Sequence, residues 1–296
     1  MTTRKQAIGV IGLGNMGAGI ARNIARAGSS LAVWDASEKA IKSFRPKAEV
    51  LTPGEMSESC SVIFFVVPGS GEIDALLTGK DGILAHARKG LVLYDLTTSD
   101  PVYTNKLARR AAKKGVAYLD AGMSGGAAGA EAGTLTLMIG GDKKAFSRTR
   151  KHLKLIADKL FYLGGSGAGH TMKLIHNMVC HTNFLAVSEA GHLADRAGID
   201  LADMIQVFNA GNARNYASEV RFPNHILSEK WDANSRVYNL HKDLNMVVAL
   251  AKSLKADVPL GEDVLKFLRK AMKRGMQDED YSLLYRDYNK IGGRKG

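Results

Sequence analysis

Cysteine is scarce in this sequence, since Cys60 and Cys180 are the only two among 296 residues. Two cysteines cannot build the disulfide framework that stabilises many small secreted domains, which favours a reducing compartment. The longest apolar run, residues 62–67, is too short to cross a bilayer, and residues 1–6 are too short and polar for a signal peptide. We therefore expect a cytoplasmic protein.

Acidic residues are also in deficit, because 41 Lys and Arg face 29 Asp and Glu and leave a net charge of +12. Such a balance favours either nucleic acid or an anionic substrate and cofactor. The basic residues are spread through helical segments such as residues 143–154 and 266–274, with no arm interleaved with aromatic residues. We therefore predict a small carboxylate-bearing substrate, disfavour nucleic acid, and expect no membrane partner.

Metal-binding spacing is missing as well. His170, His176, Cys180 and His181 share one stretch, and His176 and Cys180 are four residues apart, but no companion carboxylate or CxxC accompanies them. We predict no metal site and interpret His176 as a pocket or packing residue.

What is present is a dinucleotide-binding fingerprint. Residues 6–11 form an apolar run typical of a buried parallel strand, and a glycine-rich turn follows before a helix predicted over residues 18–27. Gly12 permits the tight turn, Gly14 lets the backbone approach a pyrophosphate at the helix N-terminus, and Gly17 permits close helix–strand packing. The predicted cofactor contacts of this turn are Gly12, Leu13, Gly14, Asn15, Met16 and Gly17.

An acidic residue, Asp35, ends the second predicted strand, residues 31–35. A carboxylate at this point accepts hydrogen bonds from the ribose 2′-OH of NAD and repels the 2′-phosphate of NADP. No arginine follows, although Lys39 is near. We predict NAD as the preferred cofactor.

The alternation of strands and helices continues with predicted strands at residues 61–67 and 91–95. Ligands of open α/β sheets lie outside the carboxyl ends of the strands, so we predict that Val67 and Thr98 contact the cofactor. Thr97 and Ser99 are equally suited to cap the next helix.

Small residues dominate residues 121–129, which follow a predicted strand at residues 118–120. Such a segment is expected to form no core. Its backbone N–H groups and the Ser124 hydroxyl are suited to an anion, and a flexible surface loop is the alternative.

The second half of the chain begins at residues 167–177, where Lys173 and Asn177 are four apart and share a helix face. The positive helix end and partial burial both disfavour a charged lysine, which suits proton transfer near neutral pH. The helix is expected to end near Gly198, residues 221–223 to break the chain, and residues 239–255 and 262–274 to form two more helices.

Four segments, residues 12–17, 120–126, 167–177 and 242–244, together resemble the β-hydroxyacid dehydrogenase family of the 3-hydroxyisobutyrate dehydrogenase type. The resemblance covers essentially the whole chain. It implies an α/β N-terminal Rossmann domain with a doubly wound, mostly parallel sheet over residues 1–164. An all-α substrate and oligomerisation domain, opened by a long interdomain helix, would occupy residues 165–296.

The resemblance also implies roles for individual residues. Lys173 would be the proton donor and acceptor, and Asn177 would position the reacting oxygen. Lys242 would lie by the cofactor and the substrate. The substrate carboxylate would be held by Ser124, Gly125 and Gly126.

Two departures from the family pattern stand out. The usual Asp-Ala-Pro-Val-Ser-Gly-Gly has Gly122 and Met123 in place of Pro and Val. His176 makes residues 167–177 closer to 6-phosphogluconate dehydrogenase, a relative that carries a glutamate at the position of Cys180. Without that glutamate, decarboxylating chemistry is unsupported. Imine-reducing relatives usually lack the lysine, so Lys173 argues against them.

We therefore expect an NAD-dependent 3-hydroxyacid dehydrogenase or semialdehyde reductase, assembled as a homodimer or homotetramer. One alternative is a reductase of a phosphorylated or sulfonated aldehyde acid, which the positive charge would suit. Another is a catalytically silent dinucleotide-binding module with a basic interaction surface. Arg214, in a polar loop, is a candidate specificity residue.

Overall fold

The computed structural model describes residues 7–293. The chain divides into two compact units, Met1–Lys173 and Leu174–Gly296. The division falls inside one 29-residue helix, α9 (Ala168–Arg196), which was predicted as a long helix. Gln6, which the sequence placed in the first strand, lies outside the described residues.

The first unit is built on a sheet that has eight strands within residues 7–293, in the order β3-β2-β1-β4-β5-β6-β7-β8. Neighbours pair in parallel except β6 and β7, which are antiparallel. This confirms the mostly parallel α/β sheet. The strands are β1 Ala7–Ile11, β2 Leu31–Trp34, β3 Glu49–Val50, β4 Cys60–Phe65, β5 Val92–Asp95, β6 Ala117–Ser124, β7 Leu135–Gly140 and β8 Ala157–Gly164.

Helices cover both faces of this sheet, because alternate residues of a strand point to opposite sides. On β4, Val62 and Phe64 join a core with α1 and α8, whereas Ile63 and Phe65 join a core with α3, α4, α5 and α6. The sheet is therefore doubly wound. The helices are α1 Asn15–Arg26, α2 Glu38–Lys42, α3 Pro53–Ser59, α4 Ser70–Leu77, α5 Ile83–His86, α6 Pro101–Ala112, α7 Gly126–Ala132 and α8 Lys143–Leu153.

The small-residue segment 121–129 differs from expectation. It continues β6 as far as Ser124, paired with Thr136 of β7, and then forms α7. Ala121 lies in the hydrophobic core with no exposed surface, and Gly122 and Gly129 are buried. The expectation that this segment forms no core is wrong, and the alternative of a flexible surface loop is wrong as well. Pairing with β7 and packing of α1 on α7 bury residues whose own apolar area is small.

The second unit is helical within its described residues, apart from one isolated bridge between Arg236 and Asp280. Its core includes the buried rings of Phe184, Phe222 and Tyr281, with a T-shaped contact of 4.9 Å between Phe184 and Tyr281. An all-helical second part is thereby confirmed. After α9 come α10 Leu201–Ala210, a π-helix Ala217–Leu227, α11 Val237–Ser253, α12 Pro259–Lys273, α13 Leu283–Arg286 and α14 Tyr288–Gly292.

Pro223 does not break the chain as predicted, since it lies inside the π-helix. Phe222 and Ile226 are buried on this segment, and their packing outweighs the local cost of a proline without an N–H donor. Among residues 7–293, no helix combines the length and apolar character needed to span a membrane.

Candidate functional site

The glycine-rich turn after β1 has the geometry that its sequence predicts. Gly12 has φ of 96°, and a Cβ there would lie 2.2 Å from the carbonyl oxygen of Val66. A Cβ on Gly17 would lie 1.8 Å from the carbonyl oxygen of Gly12. Neither position has room for a side chain. Glycine at both positions therefore allows the chain to turn sharply and α1 to pack directly on the turn.

Gly14 is different, because no protein atom lies within 4 Å of a Cβ built on it. It is the N-cap of α1 and provides no side chain for the N–H groups of the first turn. Those groups and the helix dipole make an anion site, and the open space beside Gly14 admits a ligand. Around it Leu13 is buried, Met16 is half-buried and Asn15 is exposed.

Asp35 lies beside the same turn. One carboxylate oxygen accepts the N–H of Leu13 at 2.6 Å, and the other accepts the N–H of Ser37 at 2.7 Å. Each carboxylate oxygen accepts more than one hydrogen bond, so this geometry fits a ribose hydroxyl as well. Val67 adjoins the turn, with its Cγ1 3.2 Å from a Cβ built on Gly12. The residues therefore fit a dinucleotide cofactor.

The loop after β5 corrects one alternative from the sequence. The N-cap of α6 is Asp100, which accepts the N–H of Val102, so neither Thr97 nor Ser99 caps that helix. Both side chains are buried and bond the Asp95 carboxylate, which also accepts from the hydroxyl of Tyr118 at 2.8 Å. Thr98, between them, is half-buried at the carboxyl edge of the sheet.

The start of α9 is fixed to the sheet by Asp120 on β6. Its two carboxylate oxygens accept the N–H of Gly167 at 2.7 Å and of His170 at 2.9 Å. A Cβ on Gly169 would lie 2.3 Å from the carbonyl oxygen of Met138. The buried carboxylate of Asp120 thus caps α9 from strand β6. At Gly169 the backbone of α9 lies directly against the backbone of β7.

His170 strengthens this junction. Its side chain is fully buried, with Nδ1 2.7 Å from the hydroxyl of Thr104 on α6 and Nε2 3.3 Å from the carbonyl oxygen of Asp95. These bonds tie the first turn of α9 to both α6 and β5. Within the described residues, no group of three or more His, Cys, Asp or Glu side chains has a metal-binding arrangement.

Lys173 meets β6 one helical turn further along. A Cβ on Gly122 would lie 2.5 Å from Cβ and 2.9 Å from Cγ of Lys173. The lysine stem therefore lies directly on the strand backbone, and its side chain is half-buried. Two residues beyond Gly122, the strand ends at Ser124.

The residues after Ser124 have backbone conformations that favour glycine. Gly125 has φ of 127° and Gly126 has φ of 62°, and no atom lies within 4 Å of a Cβ on Gly126. The backbone here is open to a small ligand. Lys173 and Ser124–Gly126 thus belong to one compact unit, on elements that contact each other at Gly122.

Asn177 is buried in the second unit, where its Nδ2 donates to the Asp243 carboxylate at 2.6 Å. Lys242 Nζ lies 3.6 Å and His181 Nε2 lies 3.9 Å from the same carboxylate. Burial raises the pKa of Asp243, but His181, Lys242 and the bond from Asn177 outweigh it and hold that pKa below its usual value. Asp243 is therefore ionised at neutral pH and orients the Asn177 amide.

Arg214, the candidate specificity residue, lies on the surface of the second unit. Arg214 is exposed and lies 3.6 Å from Glu219. Asp120, His170 and Asp243 were not predicted as site residues. Asp120 and His170 had one sequence signal, because each is a polar residue inside an apolar or small-residue segment, which indicates a buried group with a partner. Asp243 lies in a polar stretch, and its signal was its place in the family-like segment 242–244.

Comparison with known proteins identifies the family of this chain. The family model for the NAD binding domain of 6-phosphogluconate dehydrogenase matches residues 7–164. The model described as NAD-binding of NADP-dependent 3-hydroxyisobutyrate dehydrogenase matches residues 167–288. The chain belongs to the β-hydroxyacid dehydrogenase family, whose members use a nicotinamide dinucleotide.

Individual relatives extend over nearly the whole chain. A Dictyostelium discoideum protein named "Probable 3-hydroxyisobutyrate dehydrogenase, mitochondrial" is 32% identical and covers 98% of this chain and 92% of its own. The 2-hydroxy-3-oxopropionate reductase of Escherichia coli is 31% identical over 94% of this chain and 95% of its own. The structure of Mycobacterium tuberculosis 3-hydroxyisobutyrate dehydrogenase with L-serine has a TM-score of 0.87 and 25% identity, covering 96% of this chain and 99% of that one.

Proposed function

We propose that this protein is an NAD-dependent dehydrogenase of short 3-hydroxy acids, or equally a reductase of the matching semialdehyde acids, with Lys173 as general acid and base. The observation that carries the proposal is the contact between Lys173 and Gly122 in the unit that also contains Ser124–Gly126 and the glycine-rich turn. A proton-transfer group and a small-ligand segment thereby share the unit with the cofactor turn.

The cofactor would be held by the turn Gly12–Gly17, by Asp35, and by Val67, Thr98 and Lys242. We infer a preference for NAD because Asp35 is a carboxylate beside the turn, where it repels a 2′-phosphate. The nicotinamide supplies the chemistry of accepting or returning a hydride at the alcohol carbon.

Lys173 would accept or donate the proton that accompanies this hydride transfer. When the alcohol carbon loses a hydride, its oxygen must lose a proton as the carbonyl forms, and a neutral lysine amine can accept it. In the reverse direction the ammonium returns the proton to the carbonyl oxygen. The close packing of the lysine stem on β6 limits its rotamers, which favours a defined position for the amine.

Asn177 and Ser124–Gly126 would fix the substrate. The Asp243 carboxylate accepts one N–H of the Asn177 amide, and the amide oxygen lies 3.1 Å from Nδ1 of His176. The amide is therefore oriented before any substrate arrives, and its second N–H can donate to the reacting oxygen. Ser124, Gly125 and Gly126 would hold the carboxylate through the hydroxyl and backbone N–H groups.

The substrate class is suggested by what the relatives are named for. 3-Hydroxyisobutyrate, 2-hydroxy-3-oxopropionate and L-serine all carry an oxygen on the carbon two bonds away from the carboxyl carbon. A common distance between carboxylate and reacting oxygen suits a site with one anion anchor and one proton donor. We therefore propose that spacing as the feature this protein selects.

A substrate panel followed by NADH absorbance tests the proposal. Short 3-hydroxy acids and semialdehyde acids should react, whereas 2-hydroxy acids of equal size should be inert, because their oxygen lies one carbon closer to the carboxylate. Activity with 2-hydroxy acids alone, or with none of these compounds, would refute the proposed reaction.

A further inference from the structure

A cavity of about 760 Å³ lies at the amino-terminal edge of the parallel strands. It is lined by residues at or just before the starts of β1, β2, β4 and β5, and by the end of α8. The glycine-rich turn is at the opposite end of β1, roughly 13 Å away at 3.3 Å per residue. This cavity is therefore separate from the proposed cofactor site, although both belong to one compact unit.

All the charged side chains in its described lining are basic. Arg88, Lys89, Arg148 and Lys151 all line the cavity, and among the described lining residues none is acidic. A fifth basic residue, His152, is uncharged at neutral pH because burial and the neighbouring Lys151 lower its pKa. Four like charges around one concavity produce a local positive potential that concentrates anions.

Two of these charges are held in place by the backbone. Arg88 Nε donates to the carbonyl oxygen of Cys60 at 3.0 Å, and Arg148 Nη2 donates to the carbonyl oxygen of Gly90 at 3.1 Å. Each bond engages one of the five donors of a guanidinium and so orients the planar group. Arginine presents paired donors that match phosphate oxygens, so the cavity has oriented donors as well as charge.

The floor is apolar where the rim is charged. Ile8 is 2% exposed, Leu155 is half-buried and Ala27 is exposed. The hydroxyl of the buried Thr149 is already bonded to Tyr94 and to the carbonyl oxygen of Ala145. A volume in the range of roughly 300–1,000 Å³ is typical of small-molecule sites. A cavity of this kind matches a compact molecule with both an apolar part and several phosphate oxygens, whereas a nucleic-acid duplex needs an extended basic surface.

We propose that this cavity is a second anion site, which binds a small phosphorylated molecule with two or more phosphate groups. Arg88 and Arg148 bind phosphate through their oriented guanidinium groups, and Lys89 and Lys151 add charge at the rim. An organic part of the ligand packs on Ala27 and Leu155, the apolar lining residues with exposed surface. The site works independently of catalysis, because it lies at the strand ends away from the cofactor turn.

Calorimetric titration of the full chain with tripolyphosphate tests this proposal. NAD is left out because it carries two phosphate groups itself and would compete for the cavity, and any binding of tripolyphosphate at the cofactor turn is common to all variants. The test variant is Lys89→Gln with Lys151→Gln, which removes two rim charges. The control is Lys144→Gln with Arg150→Gln, the same charge change at exposed positions of α8 outside the cavity. We expect at least about tenfold weaker binding in the test variant, less than twofold change in the control, and unaltered turnover in both.

Three results would overturn the proposal. The first is no heat of binding with the unmodified protein. The second is equal weakening in both variants, which would mean diffuse attraction by the net charge of +12. The third is displacement of tripolyphosphate by a DNA duplex at equal phosphate concentration, which would make the surface a nucleic-acid interface. None of these results bears on the proposed dehydrogenase reaction, whose own test is the substrate panel.

Discussion

Gly122 of β6 and Lys173 of α9 lie so close that no side chain fits between them, since a Cβ on Gly122 would be 2.5 Å from the Cβ of Lys173. The family pattern that this sequence resembles has proline at that position. A glycine therefore allows α9 to approach the strand more closely than a side chain would. This contact fixes the position from which the side chain of Lys173, the proposed general acid and base, extends.

Gly122→Ala should displace Lys173 and lower kcat by about tenfold or more, because a shift of roughly 1 Å in a reacting group is costly. Cofactor affinity should change little, since the glycine-rich turn is elsewhere in the unit. Steady-state kinetics and NADH titration check this. The control is Gly165→Ala, a position where no atom lies within 4 Å of the new Cβ. Full activity of Gly122→Ala would show that the close approach is not needed for turnover.

Lys173→Ala should lower turnover by about a hundredfold or more, which is the usual contribution of a positioned general acid or base. NADH binding, followed by fluorescence, should be nearly unchanged. Lys159→Ala is the matched control, because Lys159 is an exposed lysine on β8. If Lys173→Ala kept near-full activity, another group would have to carry the proton.

Asp243→Asn should release the Asn177 amide and destabilise the second unit. The expected loss is about 1–3 kcal/mol of unfolding free energy at pH 7, as for a buried group deprived of its charged partner. The folded-state pKa of Asp243 is depressed, so its stabilisation is present above the unfolded pKa of about 3.9 and is lost as pH falls through the folded value.

Urea unfolding at pH 7 and pH 3 measures this effect, and kcat should fall together with the stability at pH 7. The exposed residue Asp257 provides the control variant Asp257→Asn. Equal stability of Asp243→Asn and the unmodified protein at pH 7 would contradict the role of Asp243 as the partner that orients Asn177.

Asp35→Asn should narrow the preference for NADH over NADPH, by about tenfold in the ratio of the two kcat/KM values, since it removes the charge that repels a 2′-phosphate. Asparagine has one carbonyl oxygen, which can accept the N–H of Leu13 that Asp35 accepts at 2.6 Å. The N–H of Ser37 loses its acceptor, but Ser37 is exposed and outside the glycine-rich turn. The turn should therefore stay intact. An unmodified protein that already favours NADPH would be inconsistent with the inferred NAD preference.

Glu131→Gln should make the protein less sensitive to acid. Hydrogen bonds from Arg22 and Arg26 lower the pKa of Glu131 to about 2, and they join α7 to α1. A depressed folded-state pKa means that this stabilisation is present above about pH 4.5 and is lost as pH falls toward 2. The Tm difference between pH 6 and pH 3 should shrink in Glu131→Gln but not in Glu72→Gln, an exposed control. An unchanged difference would mean that the bridge adds nothing to stability.

The cofactor turn could be predicted because its determinants are local. The positive φ of Gly12 and the contact of Gly17 with Gly12 arise within six residues, so glycine spacing is a sufficient signal. The buried strand β4 was equally predictable, since a run of apolar residues bounded by polar ones indicates its place in a two-sided core.

Predictions failed where pairing and burial within the folded sheet decide the local structure. Residues 121–124 form a strand because β7 pairs with them, and their small side chains carry no strand pattern of their own. Thr97 and Ser99 looked like helix caps, but the buried Asp95 carboxylate competes for their hydroxyls. The strand that pairs with residues 121–124 begins eleven or more residues later. Asp95 is only two and four residues from Thr97 and Ser99, but its burial in the sheet is what makes it need their hydroxyls and that of Tyr118.

Three features of this protein follow from local sequence: the dinucleotide turn, the order of strands and helices, and the helix that carries both Lys173 and Asn177. Local sequence is enough for them because backbone sterics and side-chain periodicity act over a few residues. Other contacts depend on the tertiary fold. Asp120 accepts the N–H groups of Gly167 and His170, which are 47 and 50 residues away, and Asp243 accepts a hydrogen bond from Asn177, 66 residues away. The tertiary fold also decides that basic residues from separate segments surround one cavity. Such pairs depend on which surfaces pack together, and no local pattern encodes that choice.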